Sequence, residues 1–426
     1  MFGRRKSGSL HPEEFVARFI GYQVETEKMK DAARSSERSV AILKPKIPIG
    51  IGGSAGWFGG SAALPAGMAW PEQNGKKLLF VGQIDLSALP QDLWSGVGPR
   101  SGWLGIFLPA EWPPNPTVLH FDGPLVEVKG PLPNSADWTR AYDFKATNSF
   151  ALPKWPLTVD IRFGHELHEA YVKRSTKEPS GTLLDPAYHP FDRETVSLLC
   201  TTLGEAVTEQ VREIVRFPAM RKLRPADAAW FASQRQAVLH TFIRFFEIEG
   251  RIRSIGVLDA VEIAEFIEEL AGLYAYDMRY LRNDAEGCAE LELHDTRLLD
   301  AQLNGSELRS WWCRYEAGLR NHAMKAYTSM PSVSPPSTIL PLPLVQRLER
   351  EWQSQTRDGL AAMGHAPIGH IYTPHGPDSP NEVLLELYTS NITGFIWGDC
   401  YSLVLLMDRQ ALRRGDFSKV MFDITN

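Results

Sequence analysis

The chain has 426 residues, a formal net charge of −6 and 43% hydrophobic residues. That length buries a sizeable core in two domains, or in one domain with a large insertion, so no disulfide or metal staple is required. The acidic balance argues against a nonspecific nucleic-acid binder, whose surface must be basic to release counterions, and leaves room only for a local basic patch. Cys200, Cys288, Cys313 and Cys400 form no CxxC pair, which fits a reducing cytoplasm, and no apolar run is long enough to cross a bilayer.

Residues 1–39 form a lead-in: Arg4, Arg5 and Lys6 precede His11-Pro12-Glu13-Glu14, and Phe15, Phe19 and Tyr22 fall at helical spacing, which predicts an amphipathic helix over 11–34. Residues 40–190 change to short apolar runs between prolines and glycines. Leu78 to Leu86, Trp103 to Leu108, Val118 to Phe121, Leu125 to Val128 and Leu157 to Phe163 are predicted strands of a largely antiparallel sheet. The stretch 57–90 organises this region. Gly59 and Gly60 allow backbone angles that a side chain forbids, Pro65 and Gly67 make a second bend, and Trp70-Pro71 holds the tryptophan extended. Such a loop either cradles a ligand or packs itself against the sheet.

Residues 191–330 follow a different period. Val196, Leu199, Leu203, Val207, Val211 and Ile214 make one apolar stripe, ended by Pro218. Further helices are predicted from Pro225 to Gly250, from Ile263 to Leu281 and from Leu303 to Tyr327, which together read as a helical bundle. The basic cluster Arg212, Arg216, Arg221, Lys222 and Arg224 straddles a helix end, where cations favour the last carbonyls. Residues 331–343 are a proline-rich linker. In 344–426 a helix from Leu344 to about Leu360 precedes predicted strands at Val383 to Tyr388, Phe395 to Trp397, Tyr401 to Met407 and Val420 to Ile424. A strand followed by Asp85-Leu86-Ser87-Ala88-Leu89 and another followed by Asp408-Arg409-Gln410-Ala411-Leu412 hint that the two sheet halves are a duplication.

The ordered motifs at the two ends resemble the YwqG-like family, a domain of unknown function. WFGGSAALPAGMAWP (57–71) is similar to the family's opening FGG, LP, G, WP pattern, and LLFVGQIDLSALP (78–90) to its following strand, with Gln83 and Ile84 in place. MGHAPIG (363–369) resembles a family turn, and GFIWGDCYSLVLLMDRQALRRGDFSKVMFD (394–423) its C-terminal WGD, strand, DFS order. Two positions depart from the pattern: Gly369-His370 and Glu386 stand where the family places glutamine. The resemblance implies a shared ligand or partner surface at Phe58, Gly59, Gly60, Trp70, Gln83, Trp397 and Asp399. It implies no established activity, only a genomic association of relatives with bacterial toxin and immunity systems.

Catalytic signatures are sparse. His165 and His168 are three residues apart and share a helical face, which admits a metal reading without the HExxH spacing. His365, His370 and His375 lie in a proline- and glycine-rich loop; together with Asp399 they could supply acid and base chemistry, or they are solvated loop residues. Asp399, after Trp397-Gly398, also suits a turn whose carboxylate holds backbone N–H groups. Gly50-Ile51-Gly52-Gly53-Ser54-Ala55 lacks the strand that a dinucleotide fingerprint needs, and neither a GK[ST] nor a GxSxG occurs.

The expected fold is therefore α+β: a mostly antiparallel sheet domain of YwqG-like type with an inserted α-helical bundle. The expected function is a noncatalytic cytoplasmic binding protein with a protein partner docked on the helical insertion, an immunity or antagonist factor. The alternative is a hydrolase-like enzyme using His365, His370 and Asp399. No cofactor, nucleic acid or membrane partner is called for.

Overall fold

A computed structural model describes residues 38–50, 53–131, 136–139, 152–163, 307–329, 340–364 and 381–424, with short stretches between 183 and 202 and residue 247. The helix expected over 11–34, the basic cluster at 212–224 and most of the first three bundle helices lie outside the described residues. The chain divides into two compact units: Met1–Pro179, Pro331–Val333 and Glu349–Asn426 form one, and Ser180–Met330 with Ser334–Leu348 the other.

The first unit is built on sheet, as its alternating and continuous apolar runs require. Its strands are Ser39–Pro45 (β1), Gly56–Phe58 (β2), Ala62–Pro65 (β3), Glu72–Gln73 (β4), Lys76–Lys77 (β5), Leu79–Asp85 (β6), Trp103–Leu108 (β7), Thr117–Phe121 (β8), Leu125–Val128 (β9), Trp155–Phe163 (β10), Ala361–Met363 (β11), Asn381–Tyr388 (β12), Ser402–Asp408 (β13) and Met421–Ile424 (β14). Ten of them make one antiparallel sheet in the order β14-β13-β12-β11-β1-β10-β2-β6-β7-β8, and β3 pairs with β9 in a separate two-stranded ribbon. The sheet curls: the turn Phe417–Lys419 before β14 packs on β8, with the Phe417 and His120 rings 5.6 Å apart.

That order contains an internal pseudo-twofold. Reading outward from the central β1–β10 pair, β11, β12, β13 and β14 on one side match β2, β6, β7 and β8 on the other. The registers agree. Trp57 faces Gln83, which faces Gly105, while Ala362 faces Glu386, which faces Val404. Each third strand carries a bulge two residues before that position, between Phe80 and Gly82 and between Val383 and Leu385. Ile42 pairs with Ala362 as Pro156 pairs with Trp57, so the axis passes through the directly opposed Lys44 and Thr158. Taken in chain order, each repeat begins with a strand, β1 or β10, that is inserted into the other repeat's half of the sheet. The two strands followed by Asp85 and Asp408 are thus not equivalent, since β6 matches β12 and not β13. Both aspartates do the same local work: Asp85 accepts from Ser87 N, and Asp408 accepts from Gln410 N and Ala411 N to cap a six-residue helix.

Several expected strands appear within a residue or two of their predicted bounds, because two-sided burial makes long apolar runs. β6 and β13 are buried along nearly their whole length. Phe395 to Trp397, expected as a strand, is instead part of a folded connection: only Phe395 bridges, to Ser390 and Thr139. Its aromatic side chains all turn inward, a burial pattern that period alone does not separate from a strand. The helix expected from Leu344 runs over Leu342–Gln355, shorter at its end because Gly359 takes a left-handed φ of 90° and Leu360 N already donates to Leu43 O beside β1.

In the second unit, Glu307–Thr328 is a helix (α1), which covers residues 307–327 of the fourth helix expected from sequence. The described residues 194, 195, 197, 198, 201 and 202 are also helical. Thr195 N and Oγ1 both donate to Asp192 Oδ1, each at 2.8 Å, so Asp192 opens that helix as its cap.

Candidate functional site

Successive side chains on a strand point to opposite faces, so Trp57 and Phe58 divide the motif residues between the two sides of the sheet. On the Trp57 side, Gln83 is fully buried. Its Oε1 accepts from Ala63 N of β3 at 3.2 Å, while its Nε2 has no hydrogen-bond partner. The β3–β9 ribbon covers this face, where Ala62, Leu64, Leu78, Phe80, Phe107 and Phe121 form a core cluster. Trp70 closes it, with its ring edge-on to Phe107 at 5.5 Å and its Nε1 donating to Leu78 O at 2.8 Å. The Lys154 ammonium stands 4.5 Å over the Trp57 ring.

On the other side, Phe58 is fully buried and lies across Gly82, where an added Cβ would meet Phe58 Cδ1 at 2.3 Å. Phe58 meets Phe395 edge-on at 6.3 Å, and Phe395 leads to Trp138 and Trp397, which stack at 5.7 Å with 17° between planes. Trp397 N donates to Thr389 Oγ1 at 2.9 Å, but its buried Nε1 has no partner. After Phe58 the chain turns through Gly59 and Gly60 at φ of 70° and 65°. A Cβ at Gly59 would stand 2.1 Å from Pro153 O, so the backbones approach as only glycine permits.

The structure therefore gathers Trp70 and Gln83 on one face and Phe58 and Trp397 on the other, with Gly59 and Gly60 in the turn that follows Phe58. Asp399 belongs to neither. It sits exposed in the turn closed by Tyr401 N donating to Trp397 O at 2.8 Å, and its carboxylate takes no hydrogen bond. His365, His370 and His375, and the pair His165 and His168, lie outside the described residues. Among the described residues, no group of three or more His, Cys, Asp or Glu side chains is placed to hold a metal ion, and no helix is long and apolar enough to cross a membrane.

A second constellation was not singled out in the sequence. In the second unit, His322 of α1 places Nε2 2.6 Å from Asp192 Oδ2 and Nδ1 3.4 Å from Glu194 Oε2. The hydrogen bond to Asp192 raises the His322 pKa above its ordinary value; burial opposes this, and the charges of Asp192 and Glu194 add to it. Burial pushes the Asp192 carboxyl up, but hydrogen bonds from His322 and Thr195 outweigh it and hold the group at about 2. An Asp just before an apolar-periodic run is a local helix-start signal of the kind a sequence carries. The pairing of Asp192 with a histidine 130 residues away is not local.

Taken together, the curled antiparallel sheet and its helical segments define an α+β protein whose recognisable motif residues serve the sheet's own two cores. Residues 57–177 match the family described as "Domain of unknown function (DUF1963)", so the chain is similar to that family over β2 through β10. No curated protein matches the sequence.

Proposed function

We propose that the protein is a noncatalytic cytoplasmic binding protein whose partner is another protein, engaged through the helical segment 191–330, in the manner of an immunity or antagonist factor. What supports this reading is the use to which the motif is put. Phe58, Gln83 and Trp397 are fully buried, Trp70 bonds a backbone carbonyl, and the paired glycines admit a neighbouring chain. A motif consumed in packing maintains a scaffold, and a scaffold leaves recognition to the segments it carries.

The test is capture of interacting species from the native cell by the tagged full-length chain, with stoichiometry measured by mass spectrometry. The expected result is one stoichiometric protein, lost when residues 191–330 are removed while the tryptophan near-UV signal of the sheet persists. A chain without that segment that still captures the same protein would refute the assignment of the surface. Retention of a small molecule in place of a protein would favour acid–base chemistry at His365, His370 and Asp399.

A further inference from the structure

His322 touches two carboxylates through its two ring nitrogens, and a carboxylate is an acceptor only. A neutral imidazole has one N–H and one lone pair, so one of its two contacts would set lone pair against lone pair. Only the imidazolium satisfies both. The two carboxylates differ in their freedom. Asp192 is fixed, because its other oxygen accepts from Thr195 N and Thr195 Oγ1 at the helix cap. Glu194 is not: its side chain is 68% exposed, and it approaches only to 3.4 Å.

We propose that His322 is a pH-operated latch in the second unit: as an imidazolium it ties α1 to the Asp192–Thr195 helix start through two carboxylates, and loss of its Nδ1 proton releases the Glu194 arm while Asp192 holds on. The proton lost is the one on Nδ1, because the Nε2 proton lies in the short contact to the immobile Asp192. Once Nδ1 is a lone pair it repels Glu194, which turns out to solvent. Asp192 and Glu194 are the ionisable groups among the described residues that act on His322; Glu316 and Arg320 on the same helix pair with each other.

The sign follows from the direction of each shift. His322 is raised in the folded protein, so its contribution is complete below the ordinary histidine value and is lost as pH rises through its own higher pKa. Asp192 is lowered to about 2, so its contribution is present above the ordinary aspartate value and fails only as pH falls towards 2. The latch is fully closed between the ordinary aspartate and histidine values, that is, in acidic to mildly acidic solution. It opens as pH rises.

The experiment is imidazole 15N NMR of the full chain with labelled histidine across pH, with the His322 signals assigned by their absence in His322→Gln. The expected result is a doubly protonated ring at pH 6 that titrates above the ordinary histidine value and becomes the Nε2–H tautomer. Glu194→Gln is expected to shift the midpoint downward without altering the fold, because the residue is exposed; Asp192→Asn is expected to shift it further. A ring neutral at pH 6, an Nδ1–H tautomer at high pH, or a midpoint unmoved in Glu194→Gln would overturn the latch.

Discussion

The row Trp57, Gln83, Gly105 and the row Ala362, Glu386, Val404 occupy the same register in the two halves of the sheet, and they are filled in opposite ways. In the first, a large ring beside the central strand is matched by a glycine on the far side; in the second, alanine is matched by valine. Next to them Phe80 and Phe107 correspond to Val383 and Leu406. One backbone plan, with its bulge in the same place, thus supports an aromatic core cluster in one half and an aliphatic one in the other. Cores tolerate such exchange as long as volume and pattern are kept. The part of the chain similar to the family of unknown function, residues 57–177, covers the aromatic half.

Substitutions at matched positions sharpen or break this comparison. The largest effect is expected at Phe58, whose removal as Phe58→Ala leaves a cavity beside Phe395 and lowers stability by about 3–5 kcal/mol; Met363→Ala at the matched position costs about 2–3 kcal/mol. Urea unfolding followed by tryptophan fluorescence measures both, and equal losses would show that the aromatic half is not the more tightly packed one. Next come the glycines that follow, both at positive φ. A Cβ at Gly59 meets the backbone oxygen of Pro153, whereas one at Gly364 meets the movable end of Leu93. Gly59→Ala should cost about 3 kcal/mol and Gly364→Ala about 1–2 kcal/mol, read from the same unfolding curves.

A third substitution makes the halves chemically alike. Gln83→Glu puts a second acceptor where the amide N–H now stands without a partner, and the buried carboxylate has no donor there beyond Ala63 N. We expect a loss of about 2 kcal/mol at pH 7. Burial raises the folded pKa of such a group, so the loss is full above that raised value and vanishes below about pH 4. A penalty that persists unchanged at low pH would mean that shape, not charge, distinguishes the two rows. The smallest effects are at the caps. Asp408→Ala should cost about 1 kcal/mol, because two N–H groups lose their acceptor, and Asp85→Ala about 0.5 kcal/mol, because its turn is exposed. Thermal unfolding separates the two.

How much of this was legible follows from the residues. Runs such as Leu79–Asp85 and Trp103–Leu108 declare themselves because strands buried on both faces must be apolar throughout. The three-residue strands Gly56–Phe58 and Ala361–Met363 do not, since too few residues fall in each for any period to show, and their pairing partners lie far along the chain. The motif residues were legible as a signature but not as a use. Gln83 shows this: nothing local in the sequence says that it is buried with its Oε1 accepting from Ala63 N.

What the sequence by itself determined is therefore the class of fold, the position of most long strands, the end of the strand at Asp85, and the need for glycine at Gly59. These rest on local properties: periodicity, backbone freedom and side-chain-to-backbone bonds within a few residues. Only the tertiary structure decided the pseudo-twofold about Lys44 and Thr158, the division of Trp57 and Phe58 between two cores, and the meeting of His322 with Asp192 and Glu194. Each of these depends on which distant segments share a register or a face. That is set by the free energy of the whole packed unit and is written in no single stretch of chain.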